Sequence, residues 1–260
     1  MEKQIFAVDI GNTHTHWAVF KSSKQTISGE ILTSDLRKAP SLILNPFLRT
    51  PSFNARCGVN IGLVSVVPDL AKNLFPKLNI FCKKHNLFWF GKNADIPMKS
   101  FYEKGKVGID RLSSSYAAWC MFQKSVITIN LGTAITIDAV NNKGIYLGGV
   151  IMPGFEIMKK SLEEWTSGIG KVNFTKKIEP IGRSTVKCVS SGIFFSVLSG
   201  MSCVVSKQRK KIGKHSPVII SGGDAGLVPK GFLKNEKRIK NITLIGIFYS
   251  VKKLLEKARF

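Results

Sequence analysis

The chain of 260 residues is predicted to be an α/β protein built from two duplicated domains. The main observation is a strand–turn–strand pattern that occurs once in each half of the sequence. A second is the alternation of apolar, β-branched strands with longer helix-like segments. Composition agrees, because 44% hydrophobic residues and 23 glycines suit two small cores and show no disordered or collagen-like bias.

The first pattern begins at Ile5 and carries the apolar strand to Asp9. Gly11 and Asn12 predict a two-residue hairpin turn with positive φ, and the return strand runs from His14 to Phe20. An aspartate at the end of a buried strand can hold Mg²⁺, and the N–H groups of such a turn can face phosphate oxygens. Alone the pattern is weak, since many hairpins of this kind bind nothing.

The pattern returns in residues 126–134, where Asn130 and Gly132 take the places of Asp9 and Gly11. A partial second echo pairs residues 62–68 with residues 218–224. Repetition at about half the chain length predicts two domains of like topology, placed at residues 1–113 and 114–260. Two hairpin turns facing each other across an interdomain nucleotide cleft would clasp a polyphosphate. That is the ribonuclease-H-like architecture of the superfamily of actin, acetate and sugar kinases and heat-shock ATPases.

The remaining elements follow in order from apolar periodicity, turn residues and helix-start signals. The first half is expected to hold a helix at 69–85, a short strand at 88–90 and a loop at 105–108. A helix then starts near Asp110 and runs through Met121 into the second half. That half is expected to hold a strand and loop at 146–154, helices at 156–165 and 184–205, a strand at 218–221 and an amphipathic helix at 242–258.

Seven short motifs follow one another along nearly the whole chain. They are Asp9-x-Gly-Asn-Thr13, Ser65-Val-Val-Pro68, Gly108-Ile-Asp-Arg-Leu112, Gly132-Thr-Ala-x-Thr-x-Asp138, Gly148-Gly-Val-Ile-Met-Pro-Gly154, Gly182-Arg-Ser-Thr185 and Ser221-Gly-Gly-Asp-Ala225. In this order and spacing they resemble the type III pantothenate kinase family. The resemblance implies an enzyme that uses ATP and Mg²⁺ to phosphorylate the terminal hydroxyl of pantothenate, the first step toward coenzyme A.

The resemblance also implies roles for individual residues. Asp9 would hold Mg²⁺, Asp110 would accept the proton of the attacking hydroxyl, and Arg111 would pair with the pantothenate carboxylate. From local sequence alone, Asp110 is equally well explained as a helix N-cap. The expected nucleotide-binding residues are Asp9, Ile10, Gly11, Asn12, Thr13, His14, Thr15, His16, Gly132, Thr133, Gly222 and Gly223. The expected pantothenate-binding residues are Phe101, Tyr102, Gly108, Ile109, Asp110, Arg111 and Thr185.

Two positions depart from the family pattern. Asn130 stands where the family has an aspartate that helps to bind a monovalent cation such as K⁺ or NH₄⁺, so the expected metal ligands are Asp9 for Mg²⁺ and a weakened Asn130 for the cation. Phe101 stands where the family has a tyrosine, with Tyr102 adjacent. These departures keep open an alternative, a weakened family member that binds nucleotide or acts as a regulatory or transcription accessory factor.

The net charge, the cysteines and one long uncharged segment limit which partners and which cellular location are expected. The net charge of +23 would attract nucleic acid, but no zinc-ligand spacing or aromatic-interleaved basic motif accompanies it, so specific nucleic-acid binding is not expected. Residues 188–205 carry no charge but contain serines and glycines, which favours a buried helix over a membrane span. This helix is also expected to pack against a second subunit of a homodimer. Five cysteines without a C-x-x-C pair indicate free thiols in the cytoplasm, with Cys120, Cys188 and Cys203 expected in the core.

Overall fold

A computed structural model describes residues 4–21, 24–45, 59–81, 87–103, 105–175 and 178–257. Its elements, in chain order, are β1 (Gln4–Ile10), β2 (His14–Lys21), β3 (Lys24–Leu32), α1 (Thr33–Lys38), a 3₁₀ helix (Pro40–Leu44), β4 (Val59–Ser65), α2 (Pro68–Phe81), β5 (Leu87–Trp89), β6 (Lys99–Ser100), α3 (Ile109–Phe122), β7 (Val126–Leu131), β8 (Ala134–Val140), β9 (Ile145–Pro153), α4 (Phe155–Trp165), α5 (Thr185–Ile212), β10 (Val218–Ser221), a 3₁₀ helix (Gly223–Leu227), β11 (Glu236–Arg238) and α6 (Ile242–Lys257). The end of the helix expected at 69–85, residue 258 of the last helix, Cys57 and Cys82 lie outside the described residues.

The chain divides into two compact units. The first comprises residues 1–123, 144–146 and 241–260, and the second comprises residues 124–143 and 147–240. The predicted boundary after residue 113 falls inside α3, which belongs whole to the first unit. The first unit also takes in α6, which sequence analysis placed with the second half. Both differences arise because α3 and α6 pack together against one sheet.

Each unit contains the same order of strands, which confirms the predicted duplication. The first sheet has the order β3-β2-β1-β4-β5, and the strands of the second unit follow β9-β8-β7-β10-β11. In both, the hairpin partner is antiparallel and the strand on the other side is parallel. The two hairpin turns follow equivalent strands in the two units, although the register differs by one residue. Asp9 pairs with Val64, whereas its counterpart Asn130 pairs with Ser221, the counterpart of Ser65.

Alternation along β1 decides which side chains meet which helices. Phe6, Val8 and Ile10 point into a core that also holds apolar residues of α1 and α2. Ile5 and Ala7 point to the opposite face and join a core with residues of α3 and α6. Asp9 has the same parity as Ile5 and Ala7, so its carboxylate leaves the sheet on the side of these two helices.

Helices α3 and α6 pack at very short range. A Cβ atom on Gly246 of α6 would lie 1.9 Å from the carbonyl oxygen of Ser113 in α3, so any larger residue would push the helices apart. The fully buried Ser113 hydroxyl donates to the carbonyl oxygen of Thr243, at 2.9 Å. This close approach brings the first turn of α6 next to the first two turns of α3.

Helix α5 is longer and less buried than predicted. It runs to Ile212 rather than ending at 205, because the basic residues Arg209, Lys210 and Lys211 fall in its last turn, where cations interact favourably with the helix dipole. One face packs against the apolar face of β7 and β8. Cys188 and Cys203 lie on the other face and are exposed, and Cys120 of α3 is half-buried, so the prediction that all three lie in the core was wrong.

Among the described residues, α5 is the one helix long and apolar enough to cross a membrane. The buried share of its most apolar window is 44%. Length and hydropathy of this kind are also found in core helices of water-soluble proteins, so the finding is weak evidence for a membrane span.

Candidate active site

The first hairpin turn connects β1 to β2 through Gly11, Asn12 and Thr13, of which Asn12 and Thr13 are exposed. The Gly11 N–H donates to the carbonyl oxygen of His14 at 3.1 Å, which leaves Asn12 and Thr13 between these two residues. Neither Gly11 nor Asn12 has positive φ, so the predicted positive-φ turn at these two positions was wrong. Glycine is needed at position 11 for a different reason, because a Cβ atom there would lie 2.8 Å from the carbonyl oxygen of His14. The Thr33 hydroxyl donates to the carbonyl oxygen of Gly11, at 2.8 Å, and this hydrogen bond stabilises the backbone of the turn.

The flanking residues predicted to bind nucleotide face in different directions. Ile10 and Thr15 are fully buried, and the Thr15 hydroxyl lies 3.1 Å from that of Thr33. Their side chains point into the core, so these two residues can offer a nucleotide only backbone groups. His14 and His16 stack on the strand with ring centroids 6.1 Å apart, and His16 Nδ1 lies 3.6 Å from a carboxylate oxygen of Glu30.

In the second unit, two glycine motifs converge on the second hairpin turn, Gly132-Thr133. The Gly154 N–H donates to the Thr133 carbonyl oxygen at 3.0 Å, and a Cβ atom on Gly154 would lie 2.1 Å from the oxygen of Gly132. Gly222 approaches Leu131 from the other side with φ of 101°, and a Cβ atom there would lie 2.0 Å from the Leu131 oxygen. Gly223 faces open space. The structure thus brings the predicted nucleotide residues of this unit together.

Arg238 holds the loop after Gly222 in place, a role that sequence analysis missed. Its guanidinium donates to the carbonyl oxygens of Ala225 and Pro229, each at 2.7 Å, and to the Glu236 carboxylate at 3.1 Å. Backbone N–H groups and Arg238 lower the pKa of Glu236, against a burial that raises it. No local pattern distinguishes this arginine from the others in a lysine-rich and arginine-rich chain.

The first unit contains a pair of neighbouring acidic residues, Asp9 and Asp110. Burial of its carboxyl group, followed by the nearby charge of Asp110, raises the pKa of Asp9 to about 7. A hydrogen bond from the Thr243 side chain acts in the opposite direction. Gly108, and not Asp110, is the N-cap of α3, so the N-cap explanation of Asp110 is wrong. Two ionised carboxylates close together repel each other unless a cation binds to them. Mg²⁺ is typically held by one or two carboxylates together with phosphate oxygens and water.

Most residues predicted to bind pantothenate lie in the first unit. Ile109 and Asp110 form the first turn of α3, and Arg111 is almost fully buried, with 6% of its surface exposed. Phe101 and Tyr102 are exposed at 74% and 41%, and the Tyr102 ring lies 6.4 Å from that of Tyr146. Thr185 is exposed and belongs to the second unit, where it is the first residue of α5 after the N-cap Ser184.

Asn130 is the second-to-last residue of β7 and lies on its polar face. The residue directly opposite is Thr136, and this face continues with Thr128 and Asp138, while the other face is apolar. The Thr136 hydroxyl oxygen is buried and has no hydrogen-bond partner within the described part of the chain. No group of three or more His, Cys, Asp or Glu residues suited to a metal ion occurs within that same part.

Proteins of one known family resemble this chain along most of its length. The model of the type III pantothenate kinase family matches residues 5–207. The chain belongs to this family. The type III pantothenate kinase of Persephonella marina is 30% identical over 231 residues, which cover 87% of this chain and 90% of that protein. The type III pantothenate kinase of Endomicrobium trichonymphae is 28% identical over 250 residues, which cover 93% and 96%.

Solved structures place this type III pantothenate kinase family member in the predicted fold class. A candidate Baf family transcriptional activator from Campylobacter jejuni gives a TM-score of 0.60 at 19% identity, covering 98% of each chain. The ROK hexokinase from Thermus thermophilus gives 0.53 at 10% identity, covering 96% of this chain and 99% of the hexokinase. At these identities the likeness shows the fold alone, and that fold is the predicted one.

Proposed function

We propose that the protein transfers the γ-phosphoryl group of ATP to the terminal hydroxyl of pantothenate, giving 4′-phosphopantothenate for coenzyme A biosynthesis. Family membership supports the reaction, and one structural observation carries it. Asp9 and Asp110 lie close enough for the charge of one to raise the pKa of the other. Such a pair suits a site where one carboxylate meets a metal and the other meets the reacting hydroxyl.

The proposed roles follow from the chemistry of phosphoryl transfer, which depends on alignment and on neutralising charge at the γ-phosphoryl oxygens. The pantothenate hydroxyl oxygen bonds to the γ-phosphorus, the bond to the β–γ bridging oxygen breaks, and ADP leaves. Asp110 orients the hydroxyl and takes its proton, and Arg111 pairs with the pantothenate carboxylate. Asp9 would hold Mg²⁺, which neutralises phosphate charge when it is bound. The N–H groups around Gly11 in the first unit and those around Gly132 in the second are the backbone groups suited to phosphate oxygens.

A monovalent cation is expected to bind only weakly near Asn130. The Asn130 side-chain oxygen and the Thr136 hydroxyl oxygen are the groups from which such a site would be built, and neither carries a charge. The affinity for K⁺ or NH₄⁺ is therefore expected to be low, because the family's aspartate is missing.

The test combines purified protein with ATP, Mg²⁺ and pantothenate, with and without K⁺ or NH₄⁺, and follows 4′-phosphopantothenate by mass spectrometry. We expect product with little response to the cation, and a gain of cation response in Asn130→Asp, which restores the charge. Binding of ATP without any product would reject the kinase proposal in favour of the weakened family member. A strong cation response of the native protein would reject the interpretation of Asn130.

We also propose a cytoplasmic homodimer. Helices α4 and α5 form a groove of about 650 Å³ lined by apolar residues such as Ile157, Leu162 and Ile193. Phe195 and Val186 on α5 are 43% and 39% exposed. Apolar surface of this kind is characteristic of protein interfaces. Sedimentation equilibrium at micromolar concentration should give the mass of two chains, and a monomer mass would refute the dimer.

The alternative of a transcription accessory factor is less well supported. Intact Asp9, Asp110, Arg111 and both glycine turns favour an enzyme, since a protein that has lost catalysis is free to lose them. The +23 net charge is explained by a solvated, lysine-rich surface.

A further inference from the structure

The hydroxyl of Thr243 contacts one member of the acidic pair, Asp9. Thr243 is the second residue of α6, half-buried, and its hydroxyl forms a hydrogen bond with the carboxylate of Asp9. It also lies 3.0 Å from the hydroxyl oxygen of Ser114. The fully buried Ser114 hydroxyl in turn lies 2.9 Å from the carbonyl oxygen of Asp110, to which it donates. Two neighbouring hydroxyl groups thus lie between the Asp9 carboxylate and the backbone of Asp110.

The direction of these hydrogen bonds is set by the number of protons. Each hydroxyl has a single proton to donate, and an ionised carboxylate only accepts. With Asp9 ionised, Thr243 donates its proton to Asp9, and the Thr243 oxygen can then only accept from Ser114. The single Ser114 proton is shared between the Thr243 oxygen and the carbonyl oxygen of Asp110. Hydrogen bonds to an ionised acceptor are stronger and better defined in direction than neutral ones. The Thr243 hydroxyl therefore fixes where the carboxylate oxygens of Asp9 point.

Thr243 is itself held firmly. The Ser113 hydroxyl donates to its carbonyl oxygen, and the contact of Gly246 with Ser113 leaves no space for α6 to shift away from α3. The position lies outside residues 5–207, the stretch that the family model matches. Its only sequence signal is a place in the first turn of the amphipathic helix predicted at 242–258.

We propose that Thr243 is a positioning residue for the metal-holding carboxylate, and that its hydroxyl sets the orientation of Asp9 in which Mg·ATP binds. The inference rests on the proposed function for the identity of the nucleotide and the metal. It assigns to the C-terminal helix a part in the active site, in addition to its part in the core. Partners that orient a metal ligand typically change metal affinity or activity by 10–100-fold when they are removed.

The experiment compares Thr243→Val, which keeps the shape and removes the hydroxyl, with Thr243→Ser, which keeps the hydroxyl. Calorimetric titration with Mg·ATP should show at least about a tenfold weaker affinity in Thr243→Val and near-native affinity in Thr243→Ser. In the kinase assay, the Mg²⁺ concentration for half-maximal rate should rise in the valine variant, while KM for pantothenate stays unchanged.

Ser250→Ala is the matched control. It removes a buried hydrogen bond within the same helix, from the Ser250 hydroxyl to the carbonyl oxygen of Gly246 at 2.7 Å, and does not involve Thr243 or either carboxylate. It should lower the melting temperature and leave Mg·ATP affinity as in the native protein. Native Mg·ATP affinity in Thr243→Val, or equal losses in Thr243→Val and Ser250→Ala, would overturn the proposal. If the native protein binds Mg·ATP but does not phosphorylate pantothenate, the proposed function fails, while the titrations still decide the role of Thr243.

Discussion

Asp110→Asn is expected to abolish most pantothenate phosphorylation, lowering kcat by about 10²–10⁴-fold, the usual contribution of a general base. The amide keeps the size and most of the hydrogen-bonding geometry of the carboxylate but cannot take the proton. Because Gly108 caps α3, the substitution removes no helix cap, and the fold should tolerate it. The measurement is the rate of 4′-phosphopantothenate formation at saturating ATP and pantothenate.

Two comparisons make the result specific to Asp110. Asp95→Asn changes an exposed aspartate of the same unit and should leave kcat at the native level. Mg·ATP binding should persist in Asp110→Asn, since the proposed role concerns the hydroxyl and not the nucleotide. A variant that still turns over within about twofold of the native rate would show that Asp110 is not the base, because loss of a general base costs far more.

Asp9→Asn is expected to have two opposite effects, a loss of Mg·ATP binding and a gain in stability of the metal-free protein at alkaline pH. In the folded protein the pKa of Asp9 is about 7, compared with 3.8 for an ordinary aspartate. Between these values the folded state binds a proton that the unfolded state does not. The free energy of unfolding therefore falls as pH rises through this range, and all of that loss is present above pH 7.

The size of the effect follows from the linkage relation. A shift of this order corresponds to a few kcal/mol, at most about 4, of unfolding free energy that ionised Asp9 removes at pH 8. Asparagine carries no charge and avoids the cost. The variant should melt higher than the native protein at pH 8 with EDTA present, and the difference should largely disappear near pH 4.

A matched test distinguishes this electrostatic effect from a general change in packing. Asp95→Asn should leave the melting temperature nearly unchanged at both pH values, because that residue is exposed. Added Mg·ATP should raise the melting temperature of the native protein and not that of Asp9→Asn. A variant less stable than the native protein at pH 8, or equally shifted at both pH values, would contradict a half-buried carboxylate that Asp110 repels.

Much of the fold was predictable because its signals are local. Both hairpins, the strands that pair beside them and most helix bounds follow from runs of apolar residues ended by glycine and other turn residues. The family motifs, likewise, are short and contiguous. The details of the first turn were not predictable, since Gly11 is required by the nearby carbonyl of His14 and not by its own φ. The cysteine prediction failed because apolar neighbours in sequence do not show which face of a helix is buried.

By itself, then, the sequence determined the duplicated α/β plan, the family and the identity of the acidic residues Asp9 and Asp110. Only the tertiary structure decided that the C-terminal helix packs in the first unit and brings Thr243 to Asp9. The physical reason is that this contact depends on a close approach of two helices far apart along the chain, permitted by the missing side chain of Gly246. No local pattern encodes that distance, whereas strands, turns and motifs are set by residues that are neighbours in sequence.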